Sequence, residues 1–300
     1  MCTSQRNGLW TSTRHWILGL RNASWAHVNR ELQVTTIAQL MTLKGRRALI
    51  TGSAGGIGRV IAQALAELGA DLLLVDRPGS TYGPLIREIE HDWRVKVQTF
   101  DCDLEVQGDR DHLIESIRQQ GDGLDMLVNN AAFVGTSGLE GWVTDFEQQT
   151  VETWRRALEV NLTAAFDLSK GFAPLLKQSK GGSIINIAST YGSYGPDYSL
   201  YKGTEMGNPA AYAASKGGLI QLTRWLATTL APQVRVNAIS PGGVFRNQPQ
   251  VFVDRYEART PLARMATEND FRGAIAYLAS DLSSYVTGQV LAVDGGWGVW

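Results

Sequence analysis

At 300 residues, 44% of them hydrophobic, the chain can bury one large α/β core, and a length prior of about two domains does not override that reading. The net charge of −1 offers no basic surface for nucleic acid, and no apolar run approaches the ~18 residues needed to cross a bilayer. Cys2 and Cys102 form neither a disulfide framework nor a metal-ligand spacing, which points away from a metal site and fits a reducing, cytoplasmic setting.

Residues 1–40 differ from the rest. Arg6, Arg14, Arg21 and Arg30 stand against one acid, Glu31, and the patch Trp16-Ile17-Leu18-Gly19-Leu20 is too short for a signal-peptide core. Such an extension reads as an organelle transit peptide or as an over-long translation start. The second reading is preferred, because Met41-Thr42-Leu43-Lys44-Gly45 leads directly into a strand. Residues 1–40 are expected to add little to the fold carried by 41–300.

The apolar run Ala48-Leu49-Ile50 ends in Thr51-Gly52-Ser53-Ala54-Gly55-Gly56-Ile57-Gly58. The pattern Val60-Ile61-x-x-Leu65-x-x-Leu68 follows, which is helical spacing. A strand, a glycine turn and a helix start together make a dinucleotide site. Glycine lets the backbone approach a diphosphate, and the free N–H groups of the helix start face the anion. Asp71-Leu72-Leu73-Leu74-Val75-Asp76 then gives a second strand with an acid at its end. A carboxylate there accepts hydrogen bonds from ribose hydroxyls and repels a 2′-phosphate, so NAD is expected over NADP. Arg77 is the one neighbour able to offset that preference.

Strands are predicted at 47–51, 71–76, 95–100, 124–129, 182–188, 233–239 and 289–293. Helices are predicted at 56–68, 82–92, 108–120, 150–177, 210–230 and 267–280. This alternation implies a doubly wound parallel sheet of seven strands, covered by helices on both faces in three α/β/α layers. Segments 190–209 and 243–265 are too long for simple connections and are expected to serve the site as loops or lids. Ligands of such sheets sit at the carboxyl ends of strands. Asp103-Leu104 follows the third strand there, and Asn129-Asn130-Ala131-Ala132 follows the fourth. Small residues at 131 and 132 permit close approach of a flat ligand, and the asparagines are expected to tie neighbouring loops together.

Tyr212-Ala213-Ala214-Ser215-Lys216 opens the helix at 210–230. Residues at this spacing share a helix face, and an ammonium beside a phenol favours phenolate, lowering its pKa from the usual ~10. Such a tyrosine serves as proton donor and acceptor near neutral pH. Ser189 stands beyond the strand at 182–188, where its hydroxyl can meet a substrate oxygen. Asn161 lies in the helix beginning near 150. A rival pair, Tyr198 and Lys202, is set aside because Gly195-Pro196-Asp197 and Gly203-Thr204 around it argue for loop.

These residues together resemble the short-chain dehydrogenase/reductase family. The likeness is carried by Thr51 to Gly58, Asn129 to Ala132, Asn161, Ser189, Tyr212 with Lys216, Pro241-Gly242, and Val286-Thr287-Gly288-Gln289 through Asp294-Gly295-Gly296. It covers about residues 43–300. The resemblance implies a Rossmann-like single domain and a nicotinamide cofactor. It also implies a catalytic set in which Tyr212 is the acid/base, Ser189 orients the carbonyl or hydroxyl, Lys216 holds the ribose and tunes Tyr212, and Asn161 positions a relay water. The expected cofactor contacts are Gly52, Ser53, Gly56, Ile57, Gly58, Asp76, Asp103, Leu104, Asn130, Ala131, Tyr212, Lys216, Pro241, Gly242 and Val244. A homotetramer or homodimer is implied too, with Trp225, Trp297 and Trp300 suited either to subunit contacts or to the core.

The chain departs from the family pattern in two places. Ser189 and Tyr212 are further apart than is usual, so residues 194–207 are expected to enlarge the wall of the substrate site. Arg246 stands where a threonine is common, and is expected to meet an anionic substrate group. Gly55 replaces the basic residue of many NADP-preferring members, which again favours NAD.

The expected function is oxidation of a secondary alcohol, or the reverse reduction, on a hydroxylated substrate. The insertion and the run from Gly243 to Pro249 resemble members associated with bacterial flagellin and surface-sugar biosynthesis. A 3-oxoacyl-thioester reductase and a non-catalytic NAD sensor or scaffold are the alternatives. An epimerase or dehydratase of the longer relatives is disfavoured, because little chain follows Pro241 to build a substrate domain.

Overall fold

Alternate residues of each inner strand point to opposite faces of the sheet. Ala48, Ile50, Leu72, Leu74, Met126 and Val128 face one buried cluster, while Leu49, Leu73, Val75 and Leu127 face another. The computed structural model describes residues 35–135 and 137–300. Its strands are β1 (Arg47–Thr51), β2 (Asp71–Asp76), β3 (Val97–Asp101), β4 (Met126–Asn129), β5 (Gly182–Ile187), β6 (Val234–Pro241) and β7 (Val290–Val293). They form one sheet in the order β3-β2-β1-β4-β5-β6-β7, parallel throughout. This is the predicted doubly wound sheet, with strand order reversing between β1 and β4.

The first face is covered by α1 (Gly56–Glu67) and α2 (Gly83–Trp93) through Ile61, Leu65, Leu85 and Ile89. The second is covered by α3 (Gln107–Gln120) through Leu113 and Ile117. The predicted helix 150–177 is three pieces: α4 (Val151–Leu158), a π turn (Glu159–Thr163) and α5 (Ala164–Gln178). Phe172 and Leu176 of α5 and Leu226 of α6 (Ala210–Leu230) complete the second face.

Two further predictions are corrected. Segment 243–265 is not all loop but contains α7 (Gln250–Arg259), whose Phe252, Val253 and Tyr256 are buried. Segment 267–280 begins as a 3₁₀ turn (Glu268–Phe271) before α8 (Arg272–Ala279), which lies on the first face through Ile275 and Leu278. Thr267 and Asp270 cap each other at that start.

By internal contacts the chain divides into Met1–Gln39 and Leu40–Trp300. Of the predicted extension 1–40, residues 1–34 lie outside the described residues. Thr36 and Gln39 form a reciprocal cap, with the Thr36 N–H donating to Gln39 Oε1 at 2.8 Å and the Gln39 N–H donating to Thr36 Oγ1 at 3.2 Å. No described helix is long and apolar enough to cross a membrane. Of the three tryptophans suited to core or contact, Trp297 is core at 2% exposure, whereas Trp225 and Trp300 are 54% and 71% exposed.

Candidate active site

The carboxyl ends of β1, β2, β4, β5 and β6 open into one cleft of about 790 Å³. That volume suits a small ligand or cofactor. At one end lies the glycine turn. Gly52 has φ 63°, and a Cβ there would come within 2.8 Å of Ala131 Cα. Asn130 Nδ2 donates to the Thr51 and Gly52 carbonyls at 2.9 and 3.0 Å, and the Asn130 and Ala131 N–H groups donate to Thr51 Oγ1. The asparagine expected to tie loops therefore joins the β1 and β4 ends. A Cβ on Gly58 would collide with the Gly52 carbonyl, so that glycine lets α1 approach the turn.

The N-cap of α1, Gly55, carries no side-chain cap, and the first turn holds no acid. The positive end of the helix dipole is left for an anion. Asp76 Oδ2 accepts the Ala54 N–H at 2.9 Å, which holds the carboxylate at the edge of this turn. These features fit a dinucleotide, and Gly52, Gly56, Ile57, Asp76, Asp103, Leu104, Asn130 and Ala131 all line the cleft. Ser53 and Gly58 lie behind its wall. Ser53 is fully buried and its hydroxyl donates to the Val75 carbonyl at 3.2 Å.

The other half of the cleft is lined by Ser189, Tyr212, Lys216, Pro241, Gly242 and Val244. Ser189 leaves β5 in extended conformation and its hydroxyl accepts the Tyr191 N–H at 3.2 Å. Tyr212 is in the first turn of α6, which starts after Pro209. Lys216, 2% exposed, donates from Nζ to the Ile187 carbonyl at 2.7 Å, and its Nζ is 5.9 Å from the Tyr212 ring centre. Desolvation lowers the Lys216 pKa to about 8.

The expected lowering of the Tyr212 pKa is not what this environment produces. Burial pushes the phenol above its usual value, while the neighbouring Ser189 hydroxyl and the Arg246 charge pull it down. A lysine that is itself desolvated gives the phenol little help. The rival Tyr198 lies on a 3₁₀ turn (Tyr198–Leu200) and is exposed, as its glycine and proline neighbours suggested.

Asn161 sits in the π turn, where the extra residue turns its side chain inward. Its Oδ1 accepts the Phe133 N–H at 2.7 Å, and its Nδ2 donates to Ser215 Oγ at 3.0 Å and to the Phe133 carbonyl at 3.2 Å. The side chain locks the loop after β4 against α6, and it is absent from the cleft lining.

The insertion does border the cleft, through Tyr201, Glu205, Met206, Gly207 and Asn208. It is pinned to α7 by Arg259 and Asp197 at 2.6 Å, and the Tyr191 and Tyr201 hydroxyls are 2.6 Å apart. Asn208 is buried, and neither its amide nitrogen nor its oxygen has a partner among the described residues. Phe252 and Tyr256 of α7 form a further wall, with the Tyr256 hydroxyl accepting the Gly243 N–H. Sequence reasoning missed this wall. Pro249 followed by Phe252, Val253 and Tyr256 is the helical signal that marks it.

The family model described as Enoyl-(Acyl carrier protein) reductase matches residues 52–298. The 3-oxoacyl-[acyl-carrier-protein] reductase of Thermotoga maritima is 32% identical over 263 residues, covering 85% of this chain and 99% of its own. The NADP-dependent mannitol dehydrogenase of Alternaria alternata is 28% identical, covering 88% and 97%. A crystal structure of a short chain dehydrogenase from Leptospira borgpetersenii with bound NAD+ superposes with a TM-score of 0.74 at 32% identity, covering 88% and 96%. The chain belongs to the short-chain dehydrogenase/reductase family, oxidoreductases that act on CH–OH groups with NAD(P).

Proposed function

We propose that this protein interconverts a secondary alcohol and a ketone on a small polyhydroxylated substrate such as a sugar derivative, with NAD preferred over NADP. The observation that carries the reading is the meeting, in one cleft, of the glycine turn with Ser189, Tyr212 and Lys216. Nicotinamide supplies the hydride acceptor or donor when bound, and the protein supplies orientation and electrostatics.

In this reading Ser189 holds the substrate oxygen beside the Tyr212 hydroxyl. In oxidation the Tyr212 phenolate takes the alcohol proton and becomes the phenol, and in reduction the phenol gives that proton to the substrate oxygen and becomes the phenolate. Lys216 keeps one contact, to the Ile187 carbonyl, and has further donors for a ribose. Asn161 acts at a distance, holding Ser215 and the Phe133 loop rather than touching substrate.

The substrate class is supported by the insertion. A wall holding a carboxylate (Glu205), two paired phenols (Tyr191 and Tyr201) and an amide with no partner among the described residues (Asn208) suits a ligand with several hydroxyls. An acyl chain would cover the buried Asn208 amide without offering it a partner, which disfavours the 3-oxoacyl alternative. Asp76 and the absence of a basic residue at Gly55 support NAD, against Arg77. Exposed Trp225 and Trp300 support a homo-oligomer. A cytoplasmic location is supported by the cysteine usage, two thiols with no disulfide framework.

The test is nicotinamide reduction or oxidation across sugars, sugar phosphates, nucleotide sugars, simple ketones and a 3-oxoacyl thioester, with Tyr212→Phe as control. Turnover on a hydroxylated substrate, lost by about 10²-fold or more in the variant, is the expected result. Turnover confined to the thioester would overturn the substrate class, and unchanged turnover in the variant would overturn the role of Tyr212.

A further inference from the structure

Arg246 lines the cleft from the loop that follows β6. The backbone before it is anchored, with Val244 bridged to Ala266 and the Phe245 N–H donating to the Ala266 carbonyl at 2.8 Å. The Arg246 N–H donates to Gln248 Oε1 at 2.6 Å, Gln248 Nε2 donates to the Val244 carbonyl at 2.8 Å, and Asn247 takes φ 59°. This tight turn aims the arginine at the glycine turn. Its guanidinium rests on Gly56, where a Cβ would meet Nη2 at 2.6 Å. With its guanidinium on Gly56, Arg246 stands at the cofactor end of the cleft, while its charge still reaches the Tyr212 phenol.

The electrostatics of this placement are lopsided. Gly56 is the first residue of α1, whose start carries partial positive charge with no acid in its first turn and no side-chain cap. A second positive group set on that end is unfavourable unless an anion joins them. Glu268 offers partial compensation through Oε1, 3.1 Å from Arg246 Nε. It takes only Nε. Neither Nη atom has a hydrogen-bond partner among the described residues, so the two terminal nitrogens remain for a planar, bidentate contact.

We infer that Arg246, oriented by Glu268, clamps the cofactor's diphosphate against the glycine turn and so forms the second wall of that site. The inference rests on the reading that the cleft takes NAD(P). A diphosphate entering the turn displaces the guanidinium outward from Gly56 and receives the Nη donors on one side and the free N–H groups of α1 on the other. Glu268 limits the swing by holding Nε. The clamp gives a charge-assisted contact where a threonine would give a single neutral hydroxyl.

The experiment is calorimetric binding of two probes, ADP-ribose and adenosine, to wild type, Arg246→Ala and Arg246→Lys, with circular dichroism as a check on folding. Arg246→Ala is expected to weaken ADP-ribose about tenfold or more and leave adenosine unchanged. Arg246→Lys is expected to recover part of the loss, because it restores charge without the fork. The salt dependence of ADP-ribose binding is expected to flatten in Arg246→Ala. Unchanged ADP-ribose affinity in Arg246→Ala would overturn the clamp alone, as would an equal loss for both probes. Failure of wild type to bind ADP-ribose would overturn the cofactor reading as well, and is recognised before any variant is compared.

Discussion

Lys216 Nζ donates to the Ile187 carbonyl at 2.7 Å, joining the first turns of α6 to the end of β5. The bond fixes Tyr212, one turn earlier on α6, relative to Ser189, two residues beyond Ile187. The same buried ammonium is costly, since its pKa falls from 10.5 to about 8.

A folded-state pKa below the unfolded one means that the unfolded chain binds more protons between about 8 and 10.5. The penalty for burying charged Lys216 is therefore full below about pH 8 and is relieved as pH rises toward 10.5. The shift corresponds to about 3 kcal/mol. Denaturant unfolding of wild type and Lys216→Met across this range should show wild type gaining on the variant as pH increases. A constant difference would place the ammonium in a more solvated site than its burial implies.

Asp76 is expected to discriminate between the two nicotinamide dinucleotides by repelling a 2′-phosphate. Asp76→Asn keeps an oxygen for the Ala54 N–H but removes the charge. The ratio of kcat/KM for NADP over NAD should rise about tenfold or more. An unchanged ratio would assign cofactor choice to Arg77 or to another group.

Arg110, 2% exposed, binds Glu159 at 2.7 Å, Asp167 at 2.9 Å and the Leu104 carbonyl. It ties α3 to the π turn and to the loop that borders the cofactor end of the cleft. Arg110→Met should destabilise the fold by about 3 kcal/mol, because two partly buried carboxylates lose their cation. Chemical denaturation measures this. A loss below about 1 kcal/mol would show that solvent already screens both acids.

Asn208 separates folding from binding. Its amide is buried without a partner among the described residues, so Asn208→Leu should leave the free protein as stable or stabilise it by about 1 kcal/mol. The same variant should raise KM for a hydroxylated substrate about tenfold with a smaller change in kcat. Thermal unfolding and steady-state kinetics on one preparation check both arms, and an unaltered KM would remove Asn208 from the substrate wall.

The glycine turn, the strand and helix alternation and the pairing of Tyr212 with Lys216 were legible in the sequence because each depends on residues within a turn or two of one another. Periodicity reports which face a residue occupies, and glycine reports where the backbone must bend. The wall built by Phe252 and Tyr256 was legible in principle, but glycine and proline around it masked a ten-residue helix. Asn161 was found as a residue of interest, yet its inward aim comes from a π turn that no local pattern signals.

The tertiary structure alone decided the direction of Arg246 and the environment of the Tyr212 phenol. Arg246 is held by Glu268 and rests on Gly56, partners distant in sequence and brought together only when β1 and β6 end at one rim of the sheet. The phenol is governed by what shuts out water around it, and that too is set by distant parts of the chain, since Tyr212 packs with Phe133, Trp142 and Val143 of the segment after β4. Local sequence specifies which chemical groups are present and which face they share. The dielectric around a group and the reach of a side chain from an irregular turn depend on elements far along the chain, so only the packed fold fixes them.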